Sequence, residues 1–91
     1  MIATLLTAAR LCGALVTLHG AEVPHQRLCR AAVIIAHVAD EWPPELLAAI
    51  AFRESRFDAS AVNPRTGCWG ALQVNTRRRD RSEWAGYRAG V

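Results

Sequence analysis

Two adjacent prolines, Pro43 and Pro44, divide the apolar part of this chain into two helical segments. Before them, Leu28, Ala32 and Ile35 recur at the three- and four-residue spacing of one helix face. A residue that precedes proline is driven away from helical geometry, whereas a proline can itself open a helix because the first N–H needs no partner there. The sequence therefore predicts one buried helix that ends before the prolines and a second helix that begins at them.

After this second helix, the pattern changes from helical periodicity to turn formers. The helix reads Glu45-Leu-Leu-Ala-Ala-Ile-Ala-Phe-Arg-Glu54, and residues 58–70 then carry aspartate, asparagine, proline and glycine at turn positions. Residues 71–75 read as a short extended piece or turn. Ser82 is placed to cap a last short helix that reaches Tyr87. We therefore expect a mostly α fold with at most a small β element near residues 71–75.

The N-terminal segment has two interpretations. A short apolar run from Leu11 to Leu18 follows a single arginine, Arg10, and small residues close the segment, as in a signal peptide. The same pattern fits an ordinary N-terminal helix. Because Arg10 interrupts the apolar stretch, no transmembrane helix is expected. The predicted organisation is residues 1–21 as a signal peptide or N-terminal helix and residues 22–91 as the folded domain.

The three cysteines, Cys12, Cys29 and Cys68, lack the paired spacing of zinc ligands, so no metal site is expected. If a signal peptide is removed, Cys12 leaves with it. Cys29 and Cys68 can then pair in an oxidising compartment. The alternative is that they remain separate buried thiols.

The net charge of the chain is compatible with more than one class of anionic binding partner. The net charge is +3, and all eleven basic residues are arginine, which fits a compositional bias as well as a function. A mild positive charge suits an anionic envelope polymer or a nucleic acid. The arginine run at residues 77–81 has no recognised nucleic-acid-binding motif beside it, so we expect a solvated loop and no nucleic-acid partner.

Glu54 lies at the end of the second predicted helix, where apolar residues precede it at helical spacing. Leu47, Ile50, Glu54 and Phe57 are three or four residues apart and would share one helix face. A carboxylate at the end of an apolar stripe is partly desolvated, which raises its pKa and equips it as a general acid. The alternative is that Glu54 lies at the surface and pairs with a neighbouring arginine.

The residues around and after Glu54 form an ordered series of short motifs. They are Glu54-Ser55-Arg-Phe57, Ala61-Val62 and Gly67-Cys-Trp-Gly70-Ala-Leu-Gln73, and an alanine-rich helix precedes them. In this order they resemble the first two motifs of the soluble lytic transglycosylase family, which is related to goose-type lysozymes. The resemblance covers residues 27–75 and implies a lysozyme-like fold, of which residues 22–91 would be the N-terminal half.

The resemblance also implies a role for each motif residue. Glu54 would be the sole catalytic acid/base in cleavage of the β-1,4 bond between N-acetylmuramic acid and N-acetylglucosamine in peptidoglycan. Ser55 would steady its carboxyl group or touch substrate, and Gln73 would hydrogen-bond a sugar beside the scissile bond. Gly70 would let the loop turn tightly beside the glycan, and the Trp69 indole would stack on a sugar or pack locally. The acetamido group of the substrate would stabilise the sugar cation, so no cofactor is implied.

The end of the chain departs from the family pattern. That pattern continues with a Tyr-Asn-x-Gly-like motif, whereas here Tyr87-Arg-Ala-Gly90 follows Gln73 after only thirteen residues and has arginine in place of asparagine. We therefore expect Tyr87 to belong to the next helix and the domain to be C-terminally truncated. Two functions stay open. One is a glycan-cleaving enzyme of the cell envelope, periplasmic or secreted, that serves a secretion system or a phage. The other is a non-catalytic remnant that binds glycan or plays a structural part.

Overall fold

The computed structural model describes residues 2–91, and Met1, the first residue of the N-terminal segment, lies outside the described residues. Helices account for most of the fold. In chain order they are α1 (Ile2–His19), α2 (His25–Val38), α3 (Pro44–Ser55) and α4 (Glu83–Gly90).

The long connection between α3 and α4 contains the β structure of the described residues. Isolated antiparallel bridges join Trp69 to Val62 and to Val74, and residues 2–91 contain no longer strand. The Ser82 side chain caps α4 by accepting a hydrogen bond from the Ala85 N–H at 3.4 Å. The predicted mostly α fold with a small β element is confirmed.

The prolines act as the sequence predicts. Pro44 is the first residue of α3 and Pro43 is its N-cap. At the other end, α3 stops because Arg56 and Phe57 both adopt the left-handed conformation, with φ of 53° and 62°. The Phe57 N–H then reaches back to the Ala51 carbonyl at 3.2 Å, which turns the Phe57 ring into the core.

The core is built around α2, which packs along α1 and also contacts α3 and α4. Its members come from every helix and from the connection before α4. The cluster includes the buried residues Leu11 and Leu15 of α1, Leu28, Ile34 and Ile35 of α2, Leu47, Ala48 and Ala51 of α3, and Phe57, Ala71, Leu72 and Tyr87.

A disulfide between Cys12 and Cys29 joins α1 to α2, with their Cα atoms 4.5 Å apart. Cys68 is a free, half-buried thiol. The proposed pairing of Cys29 with Cys68 is therefore wrong, and so is the alternative in which both remain separate thiols. That pairing required the loss of Cys12, whereas the packing of α1 along α2 places Cys12 directly beside Cys29.

Helix α1 is long and apolar enough to cross a membrane by length and composition, a property that core helices and signal sequences share. From the sequence, no transmembrane helix is expected because Arg10 interrupts the apolar stretch. The helix meets the length and composition criterion with Arg10 included. Three α1 residues are buried in the fold: Ala8, Leu11 and Leu15. Most of the helix surface is therefore not covered by the described residues.

Candidate functional site

Glu54 lies one residue before the end of α3 and is exposed. Ile50, one turn earlier, is also exposed, whereas α3 buries Leu47, Ala48 and Ala51. The buried face of the helix is thus offset from Glu54 by one residue position. The expected partial desolvation of Glu54 is wrong for this structure, because Ile50 faces solvent and Phe57 has left the helix. The alternative of an ion pair is not found among residues 2–91 either.

Ser55 connects the end of α3 to the loop that carries the other motif residues. Its hydroxyl donates to the Ala71 carbonyl at 2.6 Å and accepts from the Asp58 N–H at 3.2 Å. The Ala71 carbonyl lies within the buried turn that runs from Gly70 to Gln73. Ser55 therefore fixes the helix end that bears Glu54 against the turn that bears Gln73.

Replacement of Ser55 by alanine is expected to lower the free energy of unfolding by about 1–2 kcal/mol, because the Ala71 carbonyl loses its donor at a half-buried site. Urea denaturation followed by circular dichroism measures this change. Ser60→Ala is the matched control, since the Ser60 hydroxyl is exposed and bonds only to the Asp58 carboxylate. Equal losses in the two variants would contradict a special role for Ser55.

Gln73 is half-buried and stands in the left-handed conformation at φ 51°. Its side-chain nitrogen Nε2 donates to the Gly70 carbonyl at 2.9 Å and to the Ala61 carbonyl at 3.0 Å. A primary amide has two N–H donors, so both are used inside the loop. A sugar hydroxyl can therefore bond to Gln73 through Oε1, which acts as an acceptor.

Trp69 is 1% exposed, and its indole N–H donates to the Thr76 carbonyl at 2.9 Å. The Arg81 guanidinium lies over the indole, 5.3 Å from the ring centroid. An indole covered in this way offers no open face to a sugar. Of the two sequence interpretations, the structure supports local packing over substrate stacking.

Gly70 is buried at φ 80° and lies against α4. A Cβ atom added at Gly70 would stand 3.3 Å from the Gly86 Cα. The close approach that Gly70 permits is therefore between the turn and α4, rather than between the turn and a glycan. Sequence reasoning missed Gly86, although the small pair Ala85-Gly86 within a short helix is a signal of close packing.

Tyr87 lies in α4, as expected, and is fully buried at 0% exposure. Among residues 2–91 its hydroxyl has no hydrogen-bond partner. Burial, and to a smaller extent the negative charge of Glu83, raises the pKa of Tyr87 above its ordinary value. The hydroxyl is thus a neutral polar group without a partner in the core.

Tyr87→Phe is expected to raise the free energy of unfolding by about 1 kcal/mol, because it removes a buried hydroxyl that makes no hydrogen bond and keeps the ring that fills the core. Thermal and urea unfolding of the two proteins give the difference. A loss of stability of the same size would show that the hydroxyl does have a partner.

A cleft of about 470 Å³ opens between α2, the residues that follow α3 and the start of α4. Neither Glu54 nor Gln73 lines it. Arg30 and Glu83 form an ion pair across it at 2.6 Å, in which Arg30 is largely exposed. This cleft is therefore separate from the predicted site.

Asp58, the carboxylate nearest to Glu54 in sequence, also lines this cleft. It accepts hydrogen bonds from the Ser60 hydroxyl at 2.6 Å and the Ser60 N–H at 2.9 Å. These two bonds, with a smaller contribution from the charge of Arg27, lower the pKa of Asp58 below its ordinary value. Asp58 lies beyond the end of α3, and its carboxylate is hydrogen-bonded to Ser60.

The arginine run noted in the sequence can also be placed. The arginines at residues 77–81 lie in an exposed loop, and Arg81 packs over Trp69. Within residues 2–91, no three histidine, cysteine, aspartate or glutamate side chains gather in a way that could hold a metal ion.

The chain has a recognisable relationship to one known protein family. It matches the family model described as the Transglycosylase SLT domain over residues 31–87. The chain belongs to this family. No curated protein and no solved structure matches it. Family membership confirms the resemblance found in the sequence and, with the helical architecture, the lysozyme-like fold class.

The SLT match begins within α2 and ends at Tyr87 in α4, so it includes Glu54, Ser55 and Gln73. The structure brings Ser55 and the Gly70–Gln73 turn together through a direct hydrogen bond. Helix α1, Cys12 and Cys29 precede the matched SLT residues, and the disulfide joins α1 to α2, the helix in which the match begins.

Proposed function

We propose that this chain is a peptidoglycan lytic transglycosylase that cleaves the β-1,4 bond between N-acetylmuramic acid and N-acetylglucosamine, with Glu54 as its single acid/base. The observation that carries the proposal is the SLT match, which includes both Glu54 and Gln73. The hydrogen bond from Ser55 to the Ala71 carbonyl supports it, because that bond holds the two motifs on one connected frame.

The proposed reaction needs one carboxyl group of the protein. Protonated Glu54 donates its proton to the glycosidic oxygen as the bond from that oxygen to C1 breaks, and the electron pair leaves with the oxygen. The acetamido oxygen of the substrate stabilises the positive charge at C1. The Glu54 carboxylate then removes the proton of the C6 hydroxyl while O6 bonds to C1, which closes a 1,6-anhydro ring. Glu54 ends the cycle protonated, as it began.

Because Glu54 is exposed in the free protein, the bound glycan strand itself would have to exclude water from its carboxyl group. A general acid works best when water is excluded around it. Because Glu54 and Ile50 both face solvent, a sugar ring laid across them would supply that shelter. In this arrangement Gln73 Oε1 accepts a hydrogen bond from a sugar hydroxyl, and Ser55 positions the helix end. Gly70 shapes the turn by its close approach to α4.

A second candidate function is glycan binding without turnover. The observation that favours it is the solvent-facing position of Glu54, since no described residue buries its carboxylate. In both cases the polymer recognised is peptidoglycan. The disulfide between Cys12 and Cys29 adds support for an oxidising compartment, the periplasm or the exterior of the cell. Assembly with a secretion system or a phage particle stays a prediction.

Incubation of the purified protein with peptidoglycan sacculi separates the two functions. The transglycosylase proposal predicts soluble muropeptides whose muramic acid carries a 1,6-anhydro ring, identified by mass spectrometry as one water lighter than the hydrolysed product. Release of reducing-end products instead would replace it with a hydrolase. Sedimentation of the protein with sacculi, without any soluble product, would establish the binding function.

A further inference from the structure

Helix α1 has apolar side chains around its whole circumference, but the rest of the described structure covers only one face of the helix. Its buried residues face the core, while three large side chains near its N-terminal end stand 75%, 65% and 53% exposed: Ile2, Leu5 and Leu6. A helix that is apolar all round is normally buried on every side. The exposed end of α1 therefore lacks a covering environment within the fold.

The inner face of α1 belongs to the folded domain. Leu11 and Leu15 are members of the main core cluster, and Cys12 is joined by a disulfide to Cys29 of α2. Removal of α1 as a signal peptide would take Leu11 and Leu15 out of this core cluster and would leave Cys29 without its partner. The packing therefore favours a helix that stays in the mature protein.

We propose that α1 is retained and that its N-terminal end inserts into the surface of an anionic lipid bilayer. The occupant of the exposed apolar surface is lipid, because α1 has the length and composition of a segment that can enter a membrane. Its charge agrees with this, since α1 has no acidic residue and has one exposed arginine, Arg10. From Ile2 to Arg10 the helix rises about 12 Å, which places the guanidinium near the phosphates when Ile2, Leu5 and Leu6 lie in the acyl region.

The arrangement of α1 and α3 gives this docking a functional orientation. Arg10 lines a groove together with Pro44 and Glu45 at the start of α3. The His19 ring at the other end of α1 stacks on Phe52, near the end of α3, with centroids 3.7 Å apart. The two helices therefore run in the same direction. The apolar tip of α1 projects beyond the start of α3, at the end of the domain opposite to Glu54, so a docked domain would present Glu54 away from the lipid.

Co-sedimentation of the full, disulfide-bonded chain with lipid vesicles tests the proposal. Vesicles of phosphatidylglycerol and phosphatidylethanolamine are expected to bind the protein, and added salt or a change to phosphatidylcholine is expected to weaken binding. The variant Leu5→Ser/Leu6→Ser should bind at least about tenfold more weakly, since it removes two large apolar side chains from the inserted surface. Ala3→Ser/Ala9→Ser is the matched control, because both alanines are exposed on the same helix and little apolar surface is lost.

Several outcomes would overturn the proposal. They are equal binding by the two double variants, equal binding to both lipid compositions, or self-association through the Leu5–Leu6 surface in place of vesicle binding. A mature protein from the cell envelope whose intact mass shows loss of the residues before Cys29 would overturn it as well. The inference is independent of the proposed catalysis. Glu54→Gln is expected to bind vesicles as the unchanged protein does. Vesicle binding by a protein that shows no turnover would support the membrane proposal and contradict only the catalytic one.

Discussion

Glu54→Gln is expected to lower the release of anhydro-muropeptides from sacculi by at least about 100-fold, because the side-chain amide can neither give a proton to the glycosidic oxygen nor remove one from the C6 hydroxyl. The reaction proposed for this SLT domain has no second carboxylate to take over either step. The measurement is the initial rate of soluble product formation, quantified by chromatography and mass spectrometry at equal protein concentrations.

The substitution should leave the fold intact, since Glu54 is exposed and forms no ion pair among residues 2–91. Circular dichroism and the urea midpoint of Glu54→Gln should match those of the unchanged protein. Glu41→Gln is the matched control, because Glu41 is an exposed carboxylate in the turn before α3. Equal rates for all three proteins would remove Glu54 from the mechanism. A binding assay on sacculi shows at the same time whether the glutamine variant still recognises the glycan.

Loss of the disulfide has the largest expected effect on stability. The double variant Cys12→Ala/Cys29→Ala should lower the free energy of unfolding by about 3 kcal/mol, because the bond joins cysteines with a sequence separation of 17 and so restricts the unfolded chain. For a domain of this size such a loss corresponds to a fall in Tm of more than about 10 °C. Thermal unfolding followed by circular dichroism under non-reducing conditions measures it.

Cys68→Ala provides the control for this experiment, since Cys68 is a free thiol and its replacement removes no covalent cross-link. Its effect is expected to be below about 1 kcal/mol. Non-reducing peptide mapping should recover Cys12 and Cys29 in one linked peptide pair. A linked pair that contains Cys68, or a Cys68→Ala variant as unstable as the double variant, would contradict the disulfide seen in the structure.

The helical framework and the family could be predicted from the sequence because they depend on local rules. Pro44 opens α3 since a proline suits the first position of a helix, and the apolar spacing around Leu28 marks the buried helix α2. Ser82 caps α4 through its own side chain. Each of these features is decided by residues within a few positions of each other.

The environment of the site residues could not be predicted in the same way. The stripe drawn through Ile50, Glu54 and Phe57 assumed that α3 continues, but the left-handed residues after Ser55 end it and send Phe57 into the core. The hydrogen bonds inside the loop could not be predicted either. The Gln73 side-chain amide donates to carbonyls twelve and three residues away along the chain. Such contacts depend on how the loop closes.

By itself the sequence determined that α2 ends before the prolines, that α3 begins at them and that Ser82 caps α4, and it determined the order of the motifs that place the chain in the SLT family. Tertiary structure decided that Cys12 pairs with Cys29, that Trp69 and Gly70 pack inward, and that Glu54 faces solvent. The physical reason is that periodicity and caps are short-range properties of the backbone. Which face of a helix becomes covered, and which thiols meet, depends instead on segments that are distant in sequence and come together only in the folded chain.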